Sequence, residues 1–133
     1  MRLTSPIAIL FSALLVIANT TPAAAQHRVV TQGNGKLAII EDDGAISWEM
    51  PWGGIHDIHV LKNGNLMVQQ GADKVVEIDR ATKQVVWTYD SRQQNVAGDS
   101  PVEVHAFQPL PDGTVMIAES GRGRIIEIGR AHV

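Results

Sequence analysis

Short apolar runs alternate with polar turns along most of the chain, at the length and spacing of β-strands. Ile55–Leu61 and Leu66–Gln70 are joined by the polar turn Lys62–Asn65, and two further runs follow at Lys74–Asp79 and Gln84–Tyr89. The runs are rich in β-branched or aromatic residues, and an Asn-Gly pair between two such runs is a strong hairpin signal. The pattern predicts a four-stranded antiparallel meander, with strands A to D in chain order.

The same four-strand pattern recurs on both sides of this meander. When the copies are aligned, His105 falls on His56, and Trp48 falls on Trp87. The copies span residues 27–50, 55–89 and 102–127. A period of about 40–50 residues is that of propeller blades, and a blade needs a neighbour on each face. We therefore predict an all-β fold, a β-propeller of four-stranded antiparallel blades. It is incomplete, because this chain holds about two and a half blades and closed propellers have about 4–8.

Residues 1–25 have the features of a secretory signal peptide. Arg2 supplies a positive charge, Ile7–Ala18 is an apolar segment, and Ala23–Ala25 offers a small-residue cleavage site. The apolar segment, about 12 residues long, is too short to cross a bilayer, which needs about 20. We expect cleavage before Gln26, a secreted or periplasmic location, and no membrane span in the mature chain.

The last six residues differ in character from the repeats. Ile128–Val133 corresponds to the translation of a common sequencing adapter, and Gly129 stands where the second copy has Asp79. We expect native sequence to end near Glu127 and residues 128–133 to be a non-native tail. Missing blades or another chain would then be needed to close the ring.

The composition excludes several kinds of chemistry. The 133 residues include 11 Lys and Arg, 14 Asp and Glu and no Cys, with a formal net charge of −3. Disulfides, thiolate metal sites and cysteine nucleophiles are therefore excluded, and no basic cluster indicates nucleic acid binding. The expected partner is a small molecule, a glycan or a protein.

Two motifs resemble those of known propeller families. Ile78–Trp87 resembles the repeat of pyrroloquinoline-quinone-like propellers, in which an Asp-x-x-Thr-Gly turn precedes a strand with a docking Trp, although Lys83 replaces the Gly. His56–Asn65 resembles the opening of strand A in arylsulfotransferase-type propellers. Such likeness says more about fold than about function. No cofactor is expected. Pyrroloquinoline quinone is a weaker alternative, because the adjacent cysteines and calcium site of quinone-dependent dehydrogenases are absent from this part of the protein.

His56 and His105 are the leading candidates for chemistry. They occupy one position in consecutive blades, and strand A is the innermost strand of a blade, so both are predicted to face the central channel. Imidazoles in a channel can act as general acids or bases, as anion ligands or as metal ligands. The resemblance to arylsulfotransferases, which use a channel histidine as nucleophile, implies sulfuryl transfer with His56 or His105 as contributors. The alternative is that these histidines bond to neighbouring blades and hold the ring together.

Asp57 and His59 are candidate binding residues on the same strand. Side chains alternate along a strand, so Asp57 and His59 share a face while His56 and His59 point to opposite faces. A regular strand cannot bring both histidines to one ion, and Asp57 is expected to orient an imidazole or cap a turn. No metal site is predicted, because too few ligands are available.

The three tryptophans divide into two groups. Trp48 and Trp87 recur at one position of strand D, which favours packing between blades over ligand binding. Trp52 lies in the loop Pro51–Gly54 and is a further candidate for ligand binding.

Together these observations predict an exported binding or scaffold module with an unidentified ligand. The alternative is a sulfuryl-transfer enzyme of the arylsulfotransferase type, and a quinone-dependent dehydrogenase is a weaker one. The sequence leaves open whether the protein is an enzyme.

Overall fold

The computed structural model describes residues 27–93 and 103–130, so the predicted signal peptide lies outside the described residues. The strands are β1 (Val29–Gly33), β2 (Lys36–Ile40), β3 (Ile46–Pro51), β4 (Ile58–Val60), β5 (Leu66–Gln70), β6 (Lys74–Asp79), β7 (Gln84–Asp90), β8 (Val104–Pro109), β9 (Val115–Glu119) and β10 (Arg124–Ile128). A 3₁₀ turn, Ser120–Arg122, joins β9 to β10. Within the described ranges, no helix is long and apolar enough to span a membrane.

These strands form three antiparallel sheets, which we call blades 1 to 3. Blade 1 has the order β1-β2-β3, blade 2 the order β4-β5-β6-β7 and blade 3 the order β8-β9-β10. In terms of the predicted repeat, the blades contain strands B-C-D, A-B-C-D and A-B-C. The predicted fold class, an incomplete propeller of antiparallel blades, is thereby confirmed.

Strand A of blade 2 is shorter than the predicted run 55–61. The amide of His56 donates to Oε1 of Gln69, 3.0 Å away, and the amide of Ile58 donates to Oδ1 of Asp57, 2.9 Å away. Side chains thus take hydrogen bonds that a longer ladder would give to backbone groups, and β4 pairs with β5 over three residues.

The blades pack face to face through two apolar clusters. Between blades 1 and 2 lie Leu37, Leu66, Val68, Val76 and Ile78. Between blades 2 and 3 lie Met67, Val75, Tyr89, Val104, Phe107, Val115 and Ile117. Neighbours in β5, such as Leu66 and Met67, enter different clusters because side chains alternate across a strand. Blade 2 is therefore covered on both faces, whereas Met116 and Ile125, at the positions of Met67 and Val75, are exposed in blade 3.

The turns use the residues that their backbone geometry requires. Gly64, in the hairpin between β4 and β5, has a φ of +85°, and its counterpart Gly113 has a φ of +91°. Between β6 and β7, Lys83 has a φ of +60°, a conformation that costs any side-chain-bearing residue energy. Lys83 stands where the pyrroloquinoline-quinone-like repeat carries Gly. The turn is held by Asp79, whose Oδ1 accepts from the amide of Thr82 at 2.7 Å.

Candidate functional site

The structure brings together the two histidines that occupy one repeat position. The imidazoles of His56 and His105 stack with ring centroids 5.3 Å apart and an interplanar angle of 24°. Both residues are exposed. Glu103 lies nearby, with Oε1 3.7 Å from Nδ1 of His105. A ligand approaching this end of blades 2 and 3 thus meets two imidazoles side by side.

His105 reaches this position from a β-bulge. Val104 pairs with Glu119 and Ala106 pairs with Ala118, so His105 is an extra residue without a partner across the ladder. Bulges re-aim side chains, and they are over-represented next to active sites.

Gln69 was not among the residues predicted from the sequence. Its side chain connects the backbone segments that carry the two histidines. Its side chain is buried, with 1% of the residue exposed. Its Oε1 accepts the amide of His56, and its Nε2 donates to the carbonyl of Val104, the residue before His105. One sequence signal existed: Gln32 stands at the same place in blade 1, since it pairs with Leu37 as Gln69 pairs with Val75.

Trp52 joins the same network and also lines a surface cleft. Its indole Nε1 donates to the backbone carbonyl of Gln69 at 2.9 Å, and its ring packs against the cluster between blades 1 and 2. On the other side it faces a cleft of about 510 Å³. The remaining lining residues are Gly35, Pro51, Gly53, Gly54, Gln70 and Gly71.

Asp57 and His59 bond to the neighbouring blade and do not join the stacked pair. Oδ2 of Asp57 accepts the amide of Phe107 at 3.1 Å, and Nε2 of His59 lies 2.8 Å from the carbonyl oxygen of Phe107. Nε2 is also 3.3 Å from Oδ1 of Asp57. Asp57 and His59 lie on the same face, and together they contact both the amide and the carbonyl oxygen of Phe107.

A buried carboxylate links blades 2 and 3 further along the same junction. Glu119 is fully buried, and it accepts hydrogen bonds from Tyr89 Oη at 2.6 Å, from Arg124 Nε at 2.7 Å and from the Ser91 hydroxyl. Burial by itself raises the pKa of Glu119, but the three hydrogen bonds outweigh it and lower the pKa below its usual value. For Tyr89, burial and the bond to this carboxylate raise the pKa. The cluster contains no sequence motif, so sequence reasoning missed it.

Trp48 and Trp87 lie at successive blade junctions. Trp48 packs on the cluster between blades 1 and 2, and its Nε1 donates to the carbonyl of Arg80 at 2.8 Å. Trp87 packs against the cluster between blades 2 and 3, with the guanidinium of Arg130 5.6 Å from its ring centre. Arg130 also pairs with the buried carboxylate of Glu77.

In residues 27–93 and 103–130, no three His, Asp or Glu side chains converge to hold a metal ion.

The comparison with protein families gives a match over most of the chain. Residues 33–131 match a PQQ-like repeat family described as "Outer membrane protein assembly factor BamB". The chain belongs to this family. Membership in the PQQ-like repeat family agrees with the blade order and with the repeated tryptophan of strand D.

Comparison with solved structures supports the fold of this family member. A protein of unknown function from Bacteroides caccae aligns with a TM-score of 0.54 and 23% identity. The alignment covers 82% of this chain and 44% of the other, so this chain spans less than half of that protein. Among curated proteins, none matches.

Proposed function

We propose that this chain is part of a periplasmic β-propeller that acts as a binding or scaffold module in the cell envelope. The observation that carries the proposal is the exposed, stacked pair of His56 and His105, which hydrogen bonds to Gln69 connect with Trp52 and its cleft. A rigid propeller that presents such groups at one end of its blades has the form of a recognition surface. The family description, which names an outer membrane protein assembly factor, supports a scaffold role.

The location is tested at the N-terminus of the exported protein. Expression in a bacterium followed by osmotic shock should release a species that begins at Gln26, as measured by mass spectrometry of the intact protein. Retention of residues 1–25 in the cytoplasmic fraction would contradict the periplasmic part of the proposal.

The binding role is tested with three probes of different chemistry. An unfolded outer membrane protein, an oligosaccharide and an aryl sulfate are each added, and the melting temperature is measured, because a ligand of the native state raises it. At least one probe should raise the melting temperature of the wild type, and the rise should be lost in the double variant His56→Ala/His105→Ala. His27→Ala, at an exposed histidine outside the pair, serves as the control and should keep it. No rise with any probe would contradict the proposal.

A sulfuryl-transfer enzyme is the second candidate, because two exposed imidazoles in contact are suited to accept and return a group or a proton. This function requires turnover of an aryl sulfate with a phenol acceptor. Turnover that disappears in His56→Ala or His105→Ala would establish the enzyme and replace the binding module.

A further inference from the structure

The stacked histidines are held from two different strands, and one side chain connects those strands. His56 precedes β4, and His105 lies in β8 of the next blade. The carboxamide of Gln69 accepts from the backbone of His56 and donates to the backbone next to His105. Both functional atoms of a single amide are thus used to bridge the two sides of the pair.

The residue that forms the bridge is not repeated in blade 3. Residue Ala118 of blade 3 occupies the position of Gln69, since it pairs with Ile125 as Gln69 pairs with Val75. A methyl group cannot donate or accept these hydrogen bonds. Gln32 occupies this position in blade 1, so the glutamine recurs in two of the three blades and is replaced in blade 3.

The backbone of Gln69 extends the connection to the aromatic loop. Its carbonyl oxygen receives the indole N–H of Trp52, so the cleft of Trp52 and the stacked histidines are anchored to one residue. A buried amide costs free energy unless its polar atoms are paired. The oxygen and the nitrogen of the Gln69 carboxamide each have a partner, so Gln69 is a rigid support.

We infer that Gln69 is the positioning residue of the His56–His105 pair, setting the contact between the two imidazoles and their placement relative to Trp52. The inference rests on the proposed function, in which the pair binds the ligand. Its test needs no ligand, so it can fail or succeed independently of the binding experiment.

The test compares three variants by NMR. Gln69→Leu keeps the bulk and removes both side-chain hydrogen bonds. Gln69→Glu keeps an acceptor for the amide of His56 and, when ionised, removes the donor to the carbonyl of Val104. Gln84→Leu is the matched control, because Gln84 is an exposed glutamine in β7 of the same blade and does not line the cleft of Trp52.

Two readouts separate positioning from general stability. In Gln69→Leu, the through-space contact between the two imidazole rings should vanish, and amide exchange at His56 should rise about fivefold, the factor expected for one net hydrogen bond. In Gln69→Glu, the ring contact should weaken while the amide of His56 stays protected. Methyl signals of Val115 and Ile117, in the core between blades 2 and 3, should keep their positions in both variants.

Three results would overturn the inference. The ring contact could persist in Gln69→Leu, it could be lost equally in Gln84→Leu, or the core methyl signals could shift along with its loss. If Gln69→Leu does not fold, Gln69→Glu decides: an unchanged ring contact at neutral pH contradicts the positioning role.

Discussion

His59 reaches from blade 2 to the backbone carbonyl oxygen of Phe107 in blade 3, with Nε2 2.8 Å from that oxygen. A carbonyl oxygen only accepts, so Nε2 carries the proton and donates. Asp57 accepts the amide of the same residue, so blade 2 pairs with Phe107 as a neighbouring strand would. Bonding between blades, the alternative role for His56 and His105, is thus the role of His59, whereas His56 stacks on His105.

Removing the contact between His59 and Phe107 should destabilise the junction between blades 2 and 3. His59→Ala is expected to lower the free energy of unfolding by about 1–2 kcal/mol, because a net hydrogen bond contributes about 1 kcal/mol and the imidazole also packs on the ring of Phe107. Urea denaturation followed by fluorescence measures the change. Gln108→Ala is the control, since Gln108 occupies the repeat position of His59 in blade 3 and is exposed. Equal effects of the two variants would contradict the proposed contribution of the contact.

The buried carboxylate of Glu119 should make stability depend on acid pH. Its pKa is lower in the folded protein than the ordinary value of 4.5, so its ionised form stabilises the fold. That contribution is complete above pH 4.5 and is lost as the pH falls from there through the folded-state pKa. Glu119→Gln should therefore be less stable at pH 7 by about 1–3 kcal/mol and show a flatter stability profile below pH 4.5.

Thermal or urea unfolding between about pH 3 and about pH 7 provides this measurement, because that range spans the ordinary glutamate pKa of 4.5. Asp42→Asn, at an exposed carboxylate, should retain the wild-type profile. A Glu119→Gln profile parallel to that of the wild type would show that the carboxylate does not carry the effect.

At position 83, in the turn between β6 and β7, glycine should be more stable than alanine. Lys83 sits at a φ of +60°, while its Nζ donates to the carbonyl of Glu49 at 2.8 Å and lies 5.7 Å from the ring centre of Trp48. Lys83→Ala loses these contacts and keeps the strained backbone, whereas Lys83→Gly loses the contacts and relieves the strain. The Gly variant should therefore be more stable than the Ala variant by about 1–2 kcal/mol. Chemical denaturation of the pair measures this difference, and an Ala variant as stable as the Gly variant would be inconsistent with strain.

Gly64 should be intolerant of any side chain for a conformational reason. Its φ is +85°, and a Cβ placed there would meet only the Nη2 atom of Arg80 at 3.8 Å, an ordinary contact. Gly64→Ala is thus expected to cost about 1–2 kcal/mol through backbone strain, with no steric clash. Gly54→Ala, where a Cβ meets nothing within 4 Å and φ is not positive, should change the melting temperature much less.

Local chemistry explains why the strands could be predicted from the sequence. Leu66–Gln70 and Lys74–Asp79 begin and end where the apolar runs do, because strand length and turn type depend on adjacent residues. The blade order could also be predicted, because His56 and His105, like Trp48 and Trp87, occupy equivalent positions in successive copies of the repeat.

Local patterns along the chain are therefore enough to predict the blade: its strands, its turns and the equivalence of positions between copies. How the blades use their polar side chains depends on packing in three dimensions. Strand A is shortened because the side chain of Gln69 accepts the amide of His56. His59 rather than His56 bonds to the backbone of the neighbouring blade, and Glu119 is buried among partners from two blades. These contacts join residues far apart in the chain, so their hydrogen bonds depend on packing distances that no local pattern encodes.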